Sequence, residues 1–238
     1  LAEIVRAGAS IVGGCCGTTP AHIAQAAAAL NAVPQIRISA RPSGEPARRP
    51  AASANTLAEK LDSGQRVIAV ELDPPADDDI AFFLDGVKTL RDAGADAVTI
   101  ADCPIGRPRA DSSLLACKLK RELDVEPLPH MTCRDRNLNA TKALLLGLSI
   151  EGVHNVLLVT GDPIPSENRE EVKSVFNFNS RRLASYVSGL NETVLRTPFR
   201  IFGALNVNAK NFEIQLKAAQ EKERNGVACF LTQPVLSR

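Results

Sequence analysis

Short apolar runs recur along the chain from Gln65 onward, and each run ends in polar residues. Six such runs are found: RVIAVELDPP, DAVTIADCP, EPLPHMTCRD, VHNVLLVTGDP, RIFGALNVN and VACFLTQP. Their apolar positions are consecutive rather than alternating, which is typical of strands that are buried on both faces. The pattern therefore predicts six strands of a parallel sheet.

Helical periodicity lies between the runs, as in DIAFFLDGVKTLRDAGA and NFEIQLKAAQEKERNG. The first of these stretches begins with aspartates that favour a helix start, and Gly94 lies near its end. The runs end at Glu71, Asp102, Cys133, Asp162, Asn206 and Gln233. These ends follow one another at intervals of roughly 30 residues, with one longer interval, and such spacing is typical of parallel βα units.

Two fold families are built from parallel βα units, namely the closed (β/α)8 TIM barrel and the open Rossmann sheet. The chain has no glycine-rich nucleotide fingerprint after its first strand, which favours the barrel. A complete barrel has eight strands, and the pattern supplies six. We therefore expect an α/β fold of the TIM-barrel type that is truncated after about six strands.

The N-terminal part of the chain differs from this pattern. Residues 1–31 predict a helix, a strand and a second helix, which begins at a Thr-Pro pair suited to a helix start. Residues 32–62 are rich in proline and lack apolar periodicity, which predicts a linker. The barrel is then expected over 63–238. Because the chain starts with leucine and Met131 is its one methionine, we expect a fragment.

Composition narrows the classes of partner. The 28 basic and 27 acidic residues nearly cancel, so the chain lacks the basic surface of a nucleic-acid or membrane-binding protein. No apolar run approaches the ~20 residues that span a bilayer. The six cysteines are too scattered for a disulfide scaffold and favour a reducing compartment. We expect a cytoplasmic protein without nucleic-acid or membrane partners, while a homo-oligomer stays possible.

Candidate chemistry lies at the carboxyl ends of the strands, where a (β/α) barrel carries its active site. Partial burial of Glu71 would raise the pKa of its carboxyl and produce a general acid at neutral pH. The alternative is a rim carboxylate paired with Arg or Lys. Asp162 follows the fourth strand in TGDP and projects past it, unless it serves a local turn or a helix cap. His130 ends the third strand, where a structural role is the alternative.

The motifs VELDPP, PHMTC, TGDP and FLTQP, in this order and spacing, resemble the methylenetetrahydrofolate reductase family over about residues 63–238. Separately, GGCCGTTPAHI resembles the C-terminal end of homocysteine S-methyltransferase domains over about residues 1–31. Together, with the proline-rich segment between them, they resemble the junction of a bifunctional homocysteine S-methyltransferase and methylenetetrahydrofolate reductase.

The reductase resemblance implies an enzyme that uses FAD and NAD(P)H to reduce 5,10-methylenetetrahydrofolate to 5-methyltetrahydrofolate. It implies that Glu71 is the general acid that opens the five-membered ring of the folate to an iminium. Asp162 would lie near the flavin and the pterin and favour that cation. Gln233 would donate or accept a hydrogen bond with the folate. The resemblance also implies flavin-binding positions at Thr99, His130 and Lys222.

Four positions depart from the family pattern. Thr160 stands where well-known members have Arg, and three positions of the helix before the sixth strand also differ. Gln215, Ala218 and Glu221 replace Asp, Asn and Arg that serve the ribityl and phosphate groups of the flavin. We therefore expect the nucleotide end of the cofactor to be bound differently.

The methyltransferase resemblance implies a Zn²⁺ site at Cys15 and Cys16, completed by one earlier cysteine and by the sulfur of homocysteine. Zinc lowers the pKa of a thiol, so it supplies a thiolate nucleophile at neutral pH for methionine synthesis. A metal-free cysteine pair is the alternative. Because the earlier cysteine is absent from this sequence, we expect that this chain does not complete the zinc site by itself.

Two other functions stay open. In the first, the chain belongs to a zinc-dependent methyltransferase whose downstream barrel binds folate without catalysis. In the second, the barrel is an inert scaffold or a subunit-interaction module, although polar groups at six successive strand ends argue against this. Flavin absorbance near roughly 450 nm would separate the reductase from both alternatives.

Overall fold

A computed structural model describes residues 17–31 and 55–235 of the chain. The chain divides into two units, Leu1–Arg49 and Pro50–Arg238. Helix α1 (Pro20–Asn31) belongs to the first unit. The hydroxyl of Thr19 accepts from the His22 amide at 3.5 Å, so the helix starts at the predicted Thr-Pro pair. The helix and strand predicted ahead of it lie outside the described residues.

The second unit contains one sheet of six parallel strands with helices between them. Its strands are β1 (Ala69–Leu72), β2 (Ala97–Ile100), β3 (Glu126–Thr132), β4 (Asn155–Val159), β5 (Arg200–Leu205) and β6 (Cys229–Thr232). Its helices are α2 (Thr56–Asp62), α3 (Ala81–Asp92), α4 (Ser112–Leu123), α5 (Leu138–Ile150), α6 (Ser180–Thr193) and α7 (Phe212–Arg224). Short 3₁₀ turns occupy Pro104–Gly106 and Ser166–Asn168. The six predicted strands are thus confirmed.

The strands lie in the order β1-β2-β3-β4-β5-β6, so each strand pairs with its neighbours in sequence. A Rossmann sheet reverses its strand order partway, whereas a (β/α) barrel adds every new strand at the same side. The curled, sequentially ordered parallel sheet is therefore that of a (β/α)8 barrel, as the spacing predicts.

Each face of the sheet has its own apolar core. Val98 and Val156 pack among helix residues such as Val87 and Leu145 on the outer face. Side chains alternate along a strand, so Ala97, Leu128, Leu157 and Phe202 form a separate cluster on the inner face. Burial on both faces explains why the strands are continuous apolar runs.

Helix α2 joins the inner cluster, because its Leu57 is only 2% exposed and packs there. The helix falls within 32–62, the segment for which composition predicts a linker. Asn55 caps it by accepting from the Ala58 amide at 3.0 Å, and its side-chain amide exchanges hydrogen bonds of 2.9 and 3.0 Å with Asn155. The end of the predicted linker therefore forms part of the barrel unit.

A buried polar network surrounds this contact at the amino ends of the strands. The Asn155 amide donates to Glu126 at 3.0 Å, and Glu126 forms an ion pair with Lys120 of α4. The Lys120 and Glu126 side chains are 8% and 5% exposed. In a (β/α) barrel this face serves stability rather than catalysis, so the network is a structural element.

Candidate functional site

Three of the predicted site residues converge on the inner face at the carboxyl end of the sheet. Glu71 of β1 pairs in register with Thr99 of β2, and His130 lies on β3, two residues after Leu128, the partner of Thr99. The Glu71 Oε2 and His130 Nε2 atoms are 3.7 Å apart. Parallel strands ending side by side thus bring a carboxyl, a hydroxyl and an imidazole together.

The environment alters the protonation of two of these groups. Desolvation raises the pKa of the Glu71 carboxyl, and the negative charge of Asp73 raises it further. Burial lowers the pKa of His130 to about 4, although Asp102 and Asp73 oppose that shift. His130 is therefore neutral at pH 7. Among the described residues Glu71 has no Lys or Arg partner, which favours the general acid over the paired rim carboxylate.

Two buried polar atoms of this group have no hydrogen-bond partner in the described part of the chain: Thr99 Oγ1 and His130 Nε2. Buried polar atoms are nearly always paired, and leaving one unpaired costs about 1–3 kcal/mol. The backbone around them is ordered, since Ser112 Oγ donates to the His130 carbonyl at 2.9 Å. Unpaired groups on an ordered backbone are what a ligand site requires.

Asp162 follows β4, and both its side-chain carboxylate and its backbone carbonyl accept hydrogen bonds. Its exposed carboxylate accepts from the Ile105 amide at 2.8 Å, and its carbonyl accepts from Arg134 Nη1 at 2.8 Å. The carboxylate therefore bonds to a loop 57 residues earlier rather than to its own turn or a following helix. This contact connects the segments that follow β2 and β4.

Gln233 and Lys222 lie toward the other side of the sheet. Gln233 follows β6. Its backbone N–H donates to the Leu205 carbonyl at 3.2 Å, and its side chain is exposed. Lys222 Nζ donates to the Ala204 carbonyl of β5 at 2.5 Å. Burial and the nearby charge of Arg181 lower the pKa of Lys222. No contact among the described residues joins Lys222 to the Glu71 group.

The predicted zinc ligands Cys15 and Cys16 lie outside the described residues. Within residues 17–31 and 55–235, no group of three or more His, Cys, Asp or Glu side chains could hold a metal ion. The zinc site thus stays a prediction.

Sequence reasoning missed two arginines that connect the strand ends. Arg136 donates to Asp102 at 2.8 Å and to Asp111 at 2.7 Å, while Asp102 also accepts from the Thr132 amide at 2.9 Å. Arg134, which is 2% exposed, bonds to the segment after β4. Both belong to the charged triplet Arg-Asp-Arg directly after the third apolar run, and that position was an available signal.

The pKa of His130 predicts how stability depends on pH. A histidine in the unfolded chain has an ordinary pKa near 6.5 and binds a proton below that pH, whereas folded His130 stays neutral to about pH 4. The contribution of neutral His130 to the free energy of unfolding is therefore complete above about pH 6.5 and is lost as pH falls toward 4. We expect the parent protein to lose about 2–3 kcal/mol of stability over this range that His130→Asn does not lose. Urea denaturation at pH 7 and pH 4.5 measures it, and parallel curves for both proteins would contradict the prediction.

A sequentially ordered parallel sheet with polar and titratable side chains at its carboxyl ends defines an enzyme of the (β/α)8 barrel class. Residues 56–236 match the family model of methylenetetrahydrofolate reductase, and the chain belongs to this family. Residues 1–30 match the model of homocysteine S-methyltransferase. Both resemblances are thereby confirmed, and the two adjacent matches fit a fusion of the two families.

Comparison with curated proteins gives no match. Family membership supports, in general terms, an oxidoreductase acting on methylenetetrahydrofolate, and the N-terminal match supports methyl transfer. Among the described helices, none is both long and apolar enough to cross a bilayer.

Proposed function

We propose that the barrel unit reduces 5,10-methylenetetrahydrofolate to 5-methyltetrahydrofolate with FAD and NAD(P)H. The observation that carries this proposal is the convergence of Glu71, Thr99 and His130, with two unpaired buried polar atoms, at the carboxyl end of the sheet. A barrel that binds folate without catalysis does not require a carboxylic acid at that position.

Glu71 is the proton donor in this proposal. Desolvation and the negative charge of Asp73 both raise the pKa of its carboxyl, which is the direction of shift that a general acid requires. Its proton goes to the folate nitrogen that leaves the methylene carbon when the five-membered ring opens. The product of this step is an iminium cation with an electrophilic methylene carbon. Neutral His130, 3.7 Å away, places no positive charge beside that cation.

Asp162 supplies the fixed negative charge that favours the cation, and Gln233 binds the folate. A carboxylate that is oriented before the reaction stabilises developing positive charge without reorganising. The 2.8 Å bond from the Ile105 amide to the Asp162 carboxylate supports that orientation. Gln233 has an exposed side chain directly after β6, where it is accessible to substrate.

The residues present fit a flavin. Thr99 Oγ1 and His130 Nε2 are buried and unpaired, so they can bond with the polar atoms of the flavin ring. Bound FAD would accept a hydride from NAD(P)H and supply it to the folate. Lys222 of α7 would bind the cofactor. The preceding residue, Glu221, forms an ion pair with Arg181. That pair supports the expectation that the nucleotide end is bound differently from the family pattern.

We further propose that the N-terminal unit belongs to a zinc-dependent homocysteine S-methyltransferase that makes methionine. Its match over residues 1–30 and the adjacent Cys15 and Cys16 support this assignment. Two thiolates leave two of the four tetrahedral zinc positions for other ligands, one of which is the homocysteine sulfur.

Flavin binding tests the proposal. The purified full-length protein is expected to be yellow and to absorb near about 450 nm. Thr99→Val removes the hydroxyl with little change of shape, so it should weaken flavin binding by about three- to tenfold. Fluorescence titration of the apoprotein with FAD measures the change.

The control is Thr89→Val, because the Thr89 hydroxyl bonds to Asp85 of its own helix α3 and is exposed. This variant should bind FAD like the parent. A colourless protein that binds folate and not FAD would support the non-catalytic barrel instead.

A further inference from the structure

We propose that Arg134 is a positioning residue that orients the Asp162 carboxylate for the folate reaction. This inference rests on the role of Asp162 in the proposed function. Arg134 lies outside the Glu71 group. Its side chain is buried, so it acts only through the residues that it contacts. Three observations carry the inference: the bonds of the guanidinium, the close packing of the Asp162 turn, and the strained loop opposite.

The guanidinium of Arg134 is fixed from one side and bonds on the other. Its Nε and Nη2 donate to Asp135 at 2.8 and 2.6 Å, while Nη1 donates to the Asp162 carbonyl at 2.8 Å. The Arg134 side chain is 2% exposed, so the guanidinium itself is shielded from water. A planar fork with this geometry has one orientation, and it therefore fixes the position of the Asp162 backbone.

Close packing allows the turn that carries Asp162 little freedom. Gly161 has a φ of +93°, and a Cβ there would lie 3.0 Å from Thr132 Cβ and 3.3 Å from Arg134 Cβ. The Arg134 carbonyl also accepts from the Val175 amide at 2.8 Å, beyond the turn. Arg134 thus contacts the chain both at the Asp162 turn and after it.

The loop after β2 completes the arrangement from the opposite side. Ile105 has a φ of +52°, a strained value for a β-branched residue, and its amide donates to the Asp162 carboxylate at 2.8 Å. The next residue, Gly106, is in close contact with the Asp162 turn: a Cβ on it would lie 2.5 Å from the Pro163 carbonyl oxygen. Strain of this kind persists where the surroundings fix it and is typical of functional sites. The Ile105 amide therefore bonds to the carboxylate directly, while Arg134 orients it through the Asp162 backbone from which it projects.

A double-mutant cycle tests the proposal in the full-length, flavin-loaded protein. Arg134→Lys keeps the charge and loses the fork, so kcat for folate reduction should fall about tenfold. In the Asp162→Asn background, the same change should cost less than about twofold, because the carboxylate to be oriented is gone. A second tenfold loss in that background, or no loss in the parent, would overturn the proposal.

The matched control is Arg91→Lys. Arg91 also donates to the aspartate that follows it, at 2.9 Å, but it lies on the exposed surface of α3. This variant should keep the parental rate. If Arg134→Lys does not fold, Gly106→Ala is the alternative variant. Its Cβ would displace Pro163 and so disturb the Asp162 turn from the opposite side, and it should cause the same loss in kcat.

Hydrogen exchange gives a readout that does not depend on activity. Arg134→Lys should accelerate exchange of the Ile105 amide and of the amides around Asp162 by about tenfold or more. Unchanged exchange would overturn the positioning role. If exchange accelerates while Asp162→Asn alone leaves folate reduction intact, the positioning stands and the role proposed for Asp162 fails.

Discussion

Glu71→Gln is expected to lower the rate of methylenetetrahydrofolate reduction by about 10²–10⁴-fold while leaving flavin reduction by NAD(P)H intact. The amide keeps the size and much of the hydrogen bonding of the carboxyl but cannot donate its proton when the folate ring opens. Stopped-flow measurement of the two half-reactions separates the effects, because in the proposed reaction the reoxidation of the flavin by folate requires the acid and the reduction of the flavin does not. A parental rate in the folate half-reaction would show that Glu71 is not the acid.

Asp73→Asn is the companion variant. The Asp73 charge helps to raise the pKa of Glu71, so its removal should lower that pKa and keep the acid itself. The carboxyl then loses its proton at a lower pH, and the alkaline limb of the kcat profile should move to lower pH. A shift toward higher pH would contradict the electrostatic explanation.

Lys120→Met is expected to destabilise the barrel unit by about 3–5 kcal/mol. The substitution leaves the Glu126 carboxylate, which is 5% exposed, with the Asn155 side-chain amide as its one remaining partner among the described residues. An unpaired buried charge costs far more than the lost ion pair itself, because desolvation is no longer offset. Urea denaturation followed by circular dichroism measures the loss.

A matched control lies two residues earlier on the same helix. Lys118 forms an exposed pair with Glu122 at 2.7 Å, and Lys118→Met should cost only about 0.3–0.5 kcal/mol. Adding Glu126→Gln to Lys120→Met should recover most of the loss, since it removes the charge and keeps an acceptor for Asn155. If both lysine variants cost the same, burial of the pair is not the cause.

The sheet could be predicted from the sequence because both of its faces are covered. Burial on both faces makes β4 and β5 continuous apolar runs, and the repeated spacing then indicates parallel units. The grouping of Glu71, Thr99 and His130 could be predicted from the sequence for the same reason. Residues near the carboxyl ends of consecutive runs lie side by side once the strands pair in sequence.

Other features depend on contacts that a linear pattern does not contain. Helix α2 has seven residues and carries no long apolar period, so its place in the barrel follows from Leu57 reaching the inner cluster. In the sequence Arg134 is an ordinary charged residue, and its role follows from the bond of its guanidinium to a carbonyl 28 residues later. The Lys222 contact with Ala204 likewise depends on how α7 packs across β5.

The reciprocal amide pair between Asn55 and Asn155 joins residues 100 positions apart, and this has a consequence for synthesis on the ribosome. At about 5–20 residues per second, α2 is synthesised roughly 5–20 s before its partner strand. A helix of seven residues is not stable by itself in water, so Leu57 remains without its core during that interval. Helix α2, the first helix of the barrel unit, therefore folds late, and a nascent chain that has not yet made β4 exposes it to chaperones and proteases.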